Sequence, residues 1–284
     1  MNSAKRVKRK RTIQRSFRLV TLYTIAAFQL FPLIWLIDYS LCKSGDLFVS
    51  GILHIPDKLQ FQNYVSAWID GKIPQFFLNS LIVTGTTVIL TLFLSITLGY
   101  AFTRMKWKFK RLFLTVIMTG MMIPIYATLL PNFIIFNEIG GMLDTYQGLI
   151  IPYTAFAMPV GIFVMTGFLE SIPRSIEEAA AIDGCGIYRI IFQIVLPITK
   201  PAIVTISVQT FLSCWNEFIM ATIYLNTDKF RTLPFSVMNF AGQYSSDYAK
   251  QFAVMALAAL PAIVFYIILN EHITKGATVG ALKG

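Results

Sequence analysis

Six apolar runs, separated by polar or basic stretches, set the rhythm of the chain. They cover roughly Phe17–Ser40, Phe76–Phe102, Leu112–Phe136, Leu149–Leu169, Ile198–Tyr224 and Phe252–Leu269. A helix needs about 20 residues to cross the hydrocarbon core of a bilayer, and each run meets that length. No stretch of about ten residues alternates apolar and polar positions, which is the pattern a membrane-spanning β-barrel would require. The pattern therefore predicts an all-α membrane protein with six transmembrane helices. A six-helix region, 17–272, follows a basic segment, 1–16, and precedes a short tail, 273–284. A link at 41–75 is too long for a turn and reads as an outer lid or docking surface.

Between the fourth and fifth runs lies a segment, 171–197, that is first polar and then apolar. Ser175-x-x-Glu178 has the spacing of a capping box, in which hydroxyl and carboxylate satisfy each other's backbone amides. Glu177 and Glu178 stand in the first turn, where the helix dipole favours negative charge. Ala179, Ala180, Ala181 and Ile182 continue the helix, and Gly184 stands where a left-handed C-cap is wanted. A helix of about two turns is unstable alone and needs a partner surface. After Gly186, the residues Ile187, Ile190, Ile191 and Ile194 follow i, i+3, i+4, i+7 spacing. That predicts an amphipathic helix along the membrane interface, ended by Leu196-Pro197.

Charge orients the picture. Only 13% of the 284 residues are charged and 56% are hydrophobic, against about 25% charged in a soluble domain. The net charge of +10 is carried in blocks beside the apolar runs, a topology signal that excludes nucleic acid as a partner. The block from Lys5 to Arg18 has no acidic residue. The second link carries Arg104, Lys106, Lys108, Lys110 and Arg111. The third carries Glu138 and Asp144 without a basic residue. Positive links stay inside, so both termini and the 171–197 segment are expected in the cytoplasm. The first run reaches Ile37 without a cleavage site and reads as a retained helix, not a signal peptide. Prolines in the third and fourth runs predict helices broken around a cavity.

Little else carries chemistry. Cys42, Cys185 and Cys214 are far apart, and with His54 and His272 the only histidines, neither a disulfide framework nor a metal site is expected. There are no candidate catalytic residues. A Gly-x-x-x-x-Gly-Lys-Ser/Thr loop is missing from the sequence, so no nucleotide cofactor is expected on this chain. A self-contained carrier or channel would show an inverted repeat, and a membrane enzyme would show clustered His, Asp or Glu. Neither feature is visible.

Glu178-Ala179-Ala180, then Gly184, then Ile194-x-Leu196-Pro197 resembles the EAA signature of permease subunits in binding-protein-dependent ABC importers. Asp183-Gly184 and Trp215-Asn216-Glu217-Phe218 are similar to the carbohydrate-importing branch, with its maltose-type second permease. The resemblance implies a type I importer fold whose 171–197 segment holds a coupling helix docked on a cytoplasmic ATPase dimer. Glu177, Glu178, Ala179, Ala180, Asp183, Gly184, Leu196 and Pro197 are the residues it assigns to coupling. It implies further partners: a second permease subunit in a heterodimer, an extracytoplasmic solute-binding protein, and a sugar or oligosaccharide as cargo. A phosphorylated polyol or other small solute is the alternative cargo. ATP and Mg would be held by the ATPase, and the setting would be a bacterial inner membrane. Glu178 has two competing jobs, capping its helix and pairing with a basic residue of the ATPase. The tail, with Gly276, Gly280 and Lys283, reads as a short extended end that the resemblance sends to the ATPase dimer interface.

Polar residues inside apolar runs are expensive and become candidates for the pathway. Trp215, Asn216 and Glu217 combine a stacking face with hydrogen-bonding groups, as a sugar requires. Interfacial anchoring or interhelical bonding explains the same residues. Asn79 and Gln209 read as interhelical hydrogen bonds.

Overall fold

In the computed structural model, residues 2–48, 56, 58–138, 141–242 and 246–281 are described. Helices dominate, and no strand is longer than one bridge among them. Helix α1 runs Asn2–Ser40, and α2 (Gln62–Ile69) lies in the 41–75 link. Helix α3 spans Ile73–Arg104, α4 Lys110–Thr119, α5 Leu129–Glu138 and α6 Gln147–Ser171. Then come α7 (Ser175–Ile182), α8 (Ile187–Arg189), a π-helical turn (Ile190–Val195) and α9 (Leu196–Ile198). Helices α10 (Lys200–Trp215), α11 (Ile219–Tyr224) and α12 (Tyr248–Ala281) complete the order.

All six expected spans have helical counterparts, four of them unbroken: Gln14–Ser40, Ile73–Arg104, Gln147–Ser171 and Tyr248–Leu269. The third is broken between Lys110–Met122 and Ile125–Glu138, which meet at 95°. Pro124 causes the break. It offers no amide to the preceding turn, and its ring drives Ile123 into extended backbone (φ −78°, ψ 118°). The expected break in the fourth span does not occur. Pro152 and Pro159 lie inside a continuous α6 and are buried among its neighbours. The fifth span is interrupted at residues 216–218, which leaves α10 about 24 Å long at 1.5 Å per residue. Helix α11 extends it.

Two compact units form, 1–71 with 237–257, and 72–236 with 258–284. In the first, the 41–75 link is tied down by Asn63, whose amide donates to the carbonyls of Ser40 and Cys42, each at 2.9 Å. Trp35, Tyr39 and Phe252 form an aromatic cluster there.

The second unit is built round α3. Ser80, Thr84, Thr87, Thr91, Ser95, Gly99 and Thr103 form a buried stripe of small residues down one face. Small residues let helices in a membrane approach closely, and α6 does so here. A Cβ on Gly99 would stand 2.7 Å from Met165 Cγ, and one on Gly161 would run into Ser95 Oγ. One core cluster lies round Val83, Leu149, Tyr153 and Tyr224. The other joins Tyr100, Met165, Leu169 and Ile206 to Ala180, Ile190 and Val195 of the 171–197 segment. That segment is therefore packed into the second unit's core, not loosely hung from it.

Candidate functional site: an anchored surface helix and a small cavity

Helix α7 forms where the sequence predicts a two-turn helix, but the capping box does not. Arg174, at the cap position, already has helical dihedrals (φ −63°, ψ −25°), and its carbonyl accepts from the amides of Glu177 and Glu178 at 3.0 Å each. A capping side chain needs an extended residue to project from. Ser175 lies one residue inside the helix and makes no capping bond. Glu178 is exposed and engages no group of this chain among the described residues.

The C-terminus is as expected. Gly184 has φ +82°, its amide bonds the Ala181 carbonyl at 3.1 Å, and the Cys185 amide bonds that of Ala180 at 3.0 Å. This is a Schellman closure, and only glycine enters it without strain.

Glu177, which the resemblance assigns to coupling along with its neighbours, instead turns inward and pairs within the chain. It is buried, and its Oε1 accepts from Arg104 Nε at 2.6 Å while Oε2 accepts from the Tyr100 hydroxyl at 3.0 Å. Arg104 Nη2 also donates to the Ile172 carbonyl, and Arg174 Nη2 to the Thr103 carbonyl, both at 3.0 Å. Two chain segments far apart in sequence are thus cross-tied at the end of α3. Glu177 and Ala180, three residues apart, face inward. Glu178, Ala179, Ile182 and Asp183 face out, with Ile182 86% exposed. Both residues are plain in the sequence, an acid in the first turn of α7 and the arginine that ends α3, but nothing local pairs them across 73 positions.

The run after Gly186 is helical but not of α period throughout. The π turn widens the repeat, so Ile190 and Val195, five apart, are the buried pair. Ile191 and Ile194 are partly buried against the same cluster, whereas Ile187 is 42% exposed. Leu196-Pro197 does not end the helix. Pro197 sits in the first turn of α9, where its missing amide does no harm, and the chain turns at Thr199 instead.

A cavity of about 190 Å³ lies between α6 and α10, with Gln209, Ser213 and Glu217 among its lining groups and Phe156 and Val160 on its apolar side. Of the three residues expected on the pathway, only Glu217 reaches it. Its carboxylate accepts from the amides of Met220 (2.7 Å) and Ala221 (3.1 Å), capping α11, and from the Tyr153 hydroxyl at 2.5 Å. Trp215 is buried, stacked on Phe211 with ring centroids 5.2 Å apart, and its indole donates to the Ala258 carbonyl at 3.2 Å. Asn216 is exposed and bonds the Leu212 carbonyl.

Asn79 makes a chain-to-loop clamp: its amide holds the carbonyls of Lys229 and Arg231, and its oxygen accepts from the Tyr146 hydroxyl at 2.8 Å. Nearby, Asp144 accepts from the amides of Asn226 and Thr227 and from the Thr227 hydroxyl. Burial pushes the Asp144 carboxyl up, but those three bonds and the Arg231 charge together hold it below its ordinary value. Lys72 and Arg231 pair with Asp228 and hold its carboxyl down likewise. Gly276 and Gly280, expected in an extended tail, lie in α12. Lys283 lies outside the described residues. Among those residues, no group of three or more His, Cys, Asp or Glu could hold a metal.

Comparison with known proteins agrees with this architecture. The chain is 33% identical, over 93% of its length and 86% of the relative's, to the "Probable ABC transporter permease protein YurM" of Bacillus subtilis (strain 168). It is 26% identical, over 97% of its length and 99% of the relative's, to the "Trehalose/maltose transport system permease protein MalG" of Thermococcus litoralis. A solved bacterial ABC transporter involved in the import of the acidic polysaccharide alginate shares the fold, with a TM-score of 0.77 at 23% identity, covering 93% of this chain and 97% of that one. The family model for the binding-protein-dependent transport system inner membrane component matches residues 91–278, and the chain belongs to that family.

Proposed function

We propose that this chain is one half of the translocation pathway of an ATP-driven importer of a sugar or oligosaccharide, coupled to a cytoplasmic ATPase through α7. The observation that carries the reading is the two-faced character of α7. Its inner face is locked to α3 through Glu177 and Arg104, and its outer face offers Glu178, Ala179, Ile182 and Asp183 with no partner among the described residues. A short helix fixed at one face and bare on the other is a lever, and a rigid lever passes rigid-body motion to the spans. Ile182, exposed on a two-turn helix, is an apolar contact waiting for a groove. Glu178 has no capping bond to make, which leaves its carboxylate for a basic residue of the ATPase. A carbohydrate cargo is supported by relatives whose names state trehalose and maltose or alginate. In this reading the other half of the pathway is a second permease subunit, and a solute-binding protein delivers the cargo from outside. Both termini then lie in the cytoplasm of a bacterial cell.

The complex purified through a tag on this chain, reconstituted in vesicles with the binding protein added outside, tests the reading. Uptake of labelled oligosaccharides should require ATP within, and Glu178→Gln should abolish uptake while the complex still assembles. Uptake by this chain alone without ATP would overturn the reading. Full uptake by Glu178→Gln would remove the charge pair from it.

A further inference from the structure

The link between α3 and α4 and the first turn of α4 hold Lys106, Lys108, Lys110 and Arg111 in succession after Arg104, with no carboxylate among them. Lys108, Lys110 and Arg111 border an open cleft of about 840 Å³, which Arg174 reaches from the start of α7. Glu170 is the single acidic residue lining it. Arg104 is committed to Glu177, and Arg174 donates to the Thr103 carbonyl, but Lys108, Lys110 and Arg111 enter no ion pair among the described residues. Positive charge on this side follows from topology alone. Its convergence from two different links round one cleft does not.

The cleft also has an apolar wall. Trp107 packs at a tilt between Phe102 (5.6 Å between centroids) and Phe113 (5.7 Å), remains 39% exposed, and donates to the Ala101 carbonyl at 3.3 Å. That is the posture of an aromatic at the headgroup level of a bilayer. Immediately beyond, α4 exposes Leu112, Phe113 and Val116. A basic rim that runs into an exposed apolar helix matches a ligand that is anionic at one end and hydrocarbon at the other. A small soluble anion would leave the wall unused.

We propose that this cleft binds an anionic phospholipid, with its phosphate among Lys108, Lys110 and Arg111 and its chains along α4. Basic pockets between spans are a recurrent way to hold such headgroups. Because Ile172, Pro173 and Arg174 line the same cleft, an occupied site braces the chain entering α7. Lipid composition then bears on how firmly that helix is held. The proposal depends on the chain's place in a membrane and not on its coupling to an ATPase.

The test uses the full chain in its purified complex, reconstituted in phosphatidylcholine vesicles that carry a minor fraction of lipid with brominated chains. Quenching of Trp107, read as the difference between the native chain and Trp107→Phe, reports the lipid beside it. Brominated phosphatidylglycerol should quench more than brominated phosphatidylcholine, with an enrichment of about fivefold or more, the effect of one basic side chain near an anionic lipid. The combined Lys108→Gln, Lys110→Gln and Arg111→Gln variant should erase that preference, and the Lys110→Arg variant should keep it. Should the triple variant fail to insert, Lys110→Gln alone decides, with a partial loss expected. Equal quenching by the two lipids in the native chain overturns the proposal. So does an equal loss on Lys106→Gln, a residue that does not line the cleft, because the attraction would then be diffuse. Loss of the preference on adding inorganic phosphate at constant ionic strength would also overturn it, assigning the cleft to a soluble anion.

Discussion

Breaking the Glu177–Arg104 pair should release α7 from α3 while leaving the spans assembled. The Arg104 and Glu177 side chains are 8% and 11% exposed, and the 2.6 Å contact is supported by the Tyr100 hydroxyl. Removing one partner of a buried pair strands the other charge, at about 3–5 kcal/mol. Arg104→Ala leaves Glu177 with only Tyr100, and Glu177→Ala leaves Arg104 with only the Ile172 carbonyl. Glu177→Gln keeps the shape and loses the charge-assisted bond, for about 1.5–3 kcal/mol. Cys185 reports on this locally: it follows α7 directly and packs, partly buried, against the cluster that holds Ala180 and Ile190. With Cys42 and Cys214 replaced, the rate of maleimide labelling of Cys185 measures how often the segment opens. At about 1.4 kcal/mol per factor of ten, Glu177→Gln should speed labelling roughly ten- to a hundredfold, and Arg104→Ala about a hundredfold or more. The double variant Arg104→Met, Glu177→Met should label more slowly than either charge-stranding single variant, because no charge is left buried. Labelling within twofold of native in both single variants, or strictly additive effects, would refute the anchoring argument.

Further consequences can be checked in the same complex. Gly184→Ala should cost about 1–2 kcal/mol through the left-handed backbone alone, since a Cβ there meets nothing within 4 Å; a lowered melting temperature without faster opening of the spans would show it. Gly161→Ala should destabilise by about 1–3 kcal/mol by forcing a methyl onto Ser95 and Ile206, and adding Ser95→Ala should restore part of the loss in thermal melts. Asp144→Asn should loosen the 226–228 turn at neutral pH, lowering the melting temperature. The Asp144 carboxyl is held below its ordinary 3.8, so its contribution is complete above that value and lost as pH falls through the lower folded one. The difference in melting temperature between native and variant should therefore vanish in acid, and a constant difference down to pH 3 would contradict the assignment.

Apolar runs and the positions of lysine and arginine were enough to establish an all-helical chain with six spans, because membrane insertion depends on length and transfer energy, both readable from one sequence. The two-turn helix at 175–182 and its glycine closure were also legible, since Gly184 acts through its own backbone. Side-chain pairing was another matter. That Glu177 and not Glu178 is buried depends on where Arg104 ends the second span, 73 positions away. That the capping box stays open depends on a one-residue shift in helix start, which packing decided. Trp215 shows the same limit: an aromatic beside polar groups suits a sugar, yet Phe211 and the Ala258 carbonyl occupy its face and its nitrogen. Pro124 broke its span while Pro152 and Pro159 did not, although all three remove the same amide. Local chemistry is written in the sequence because it acts over one helical turn. Which groups meet across helices is set by how α3, α6 and α10 pack, and only the tertiary structure decides that.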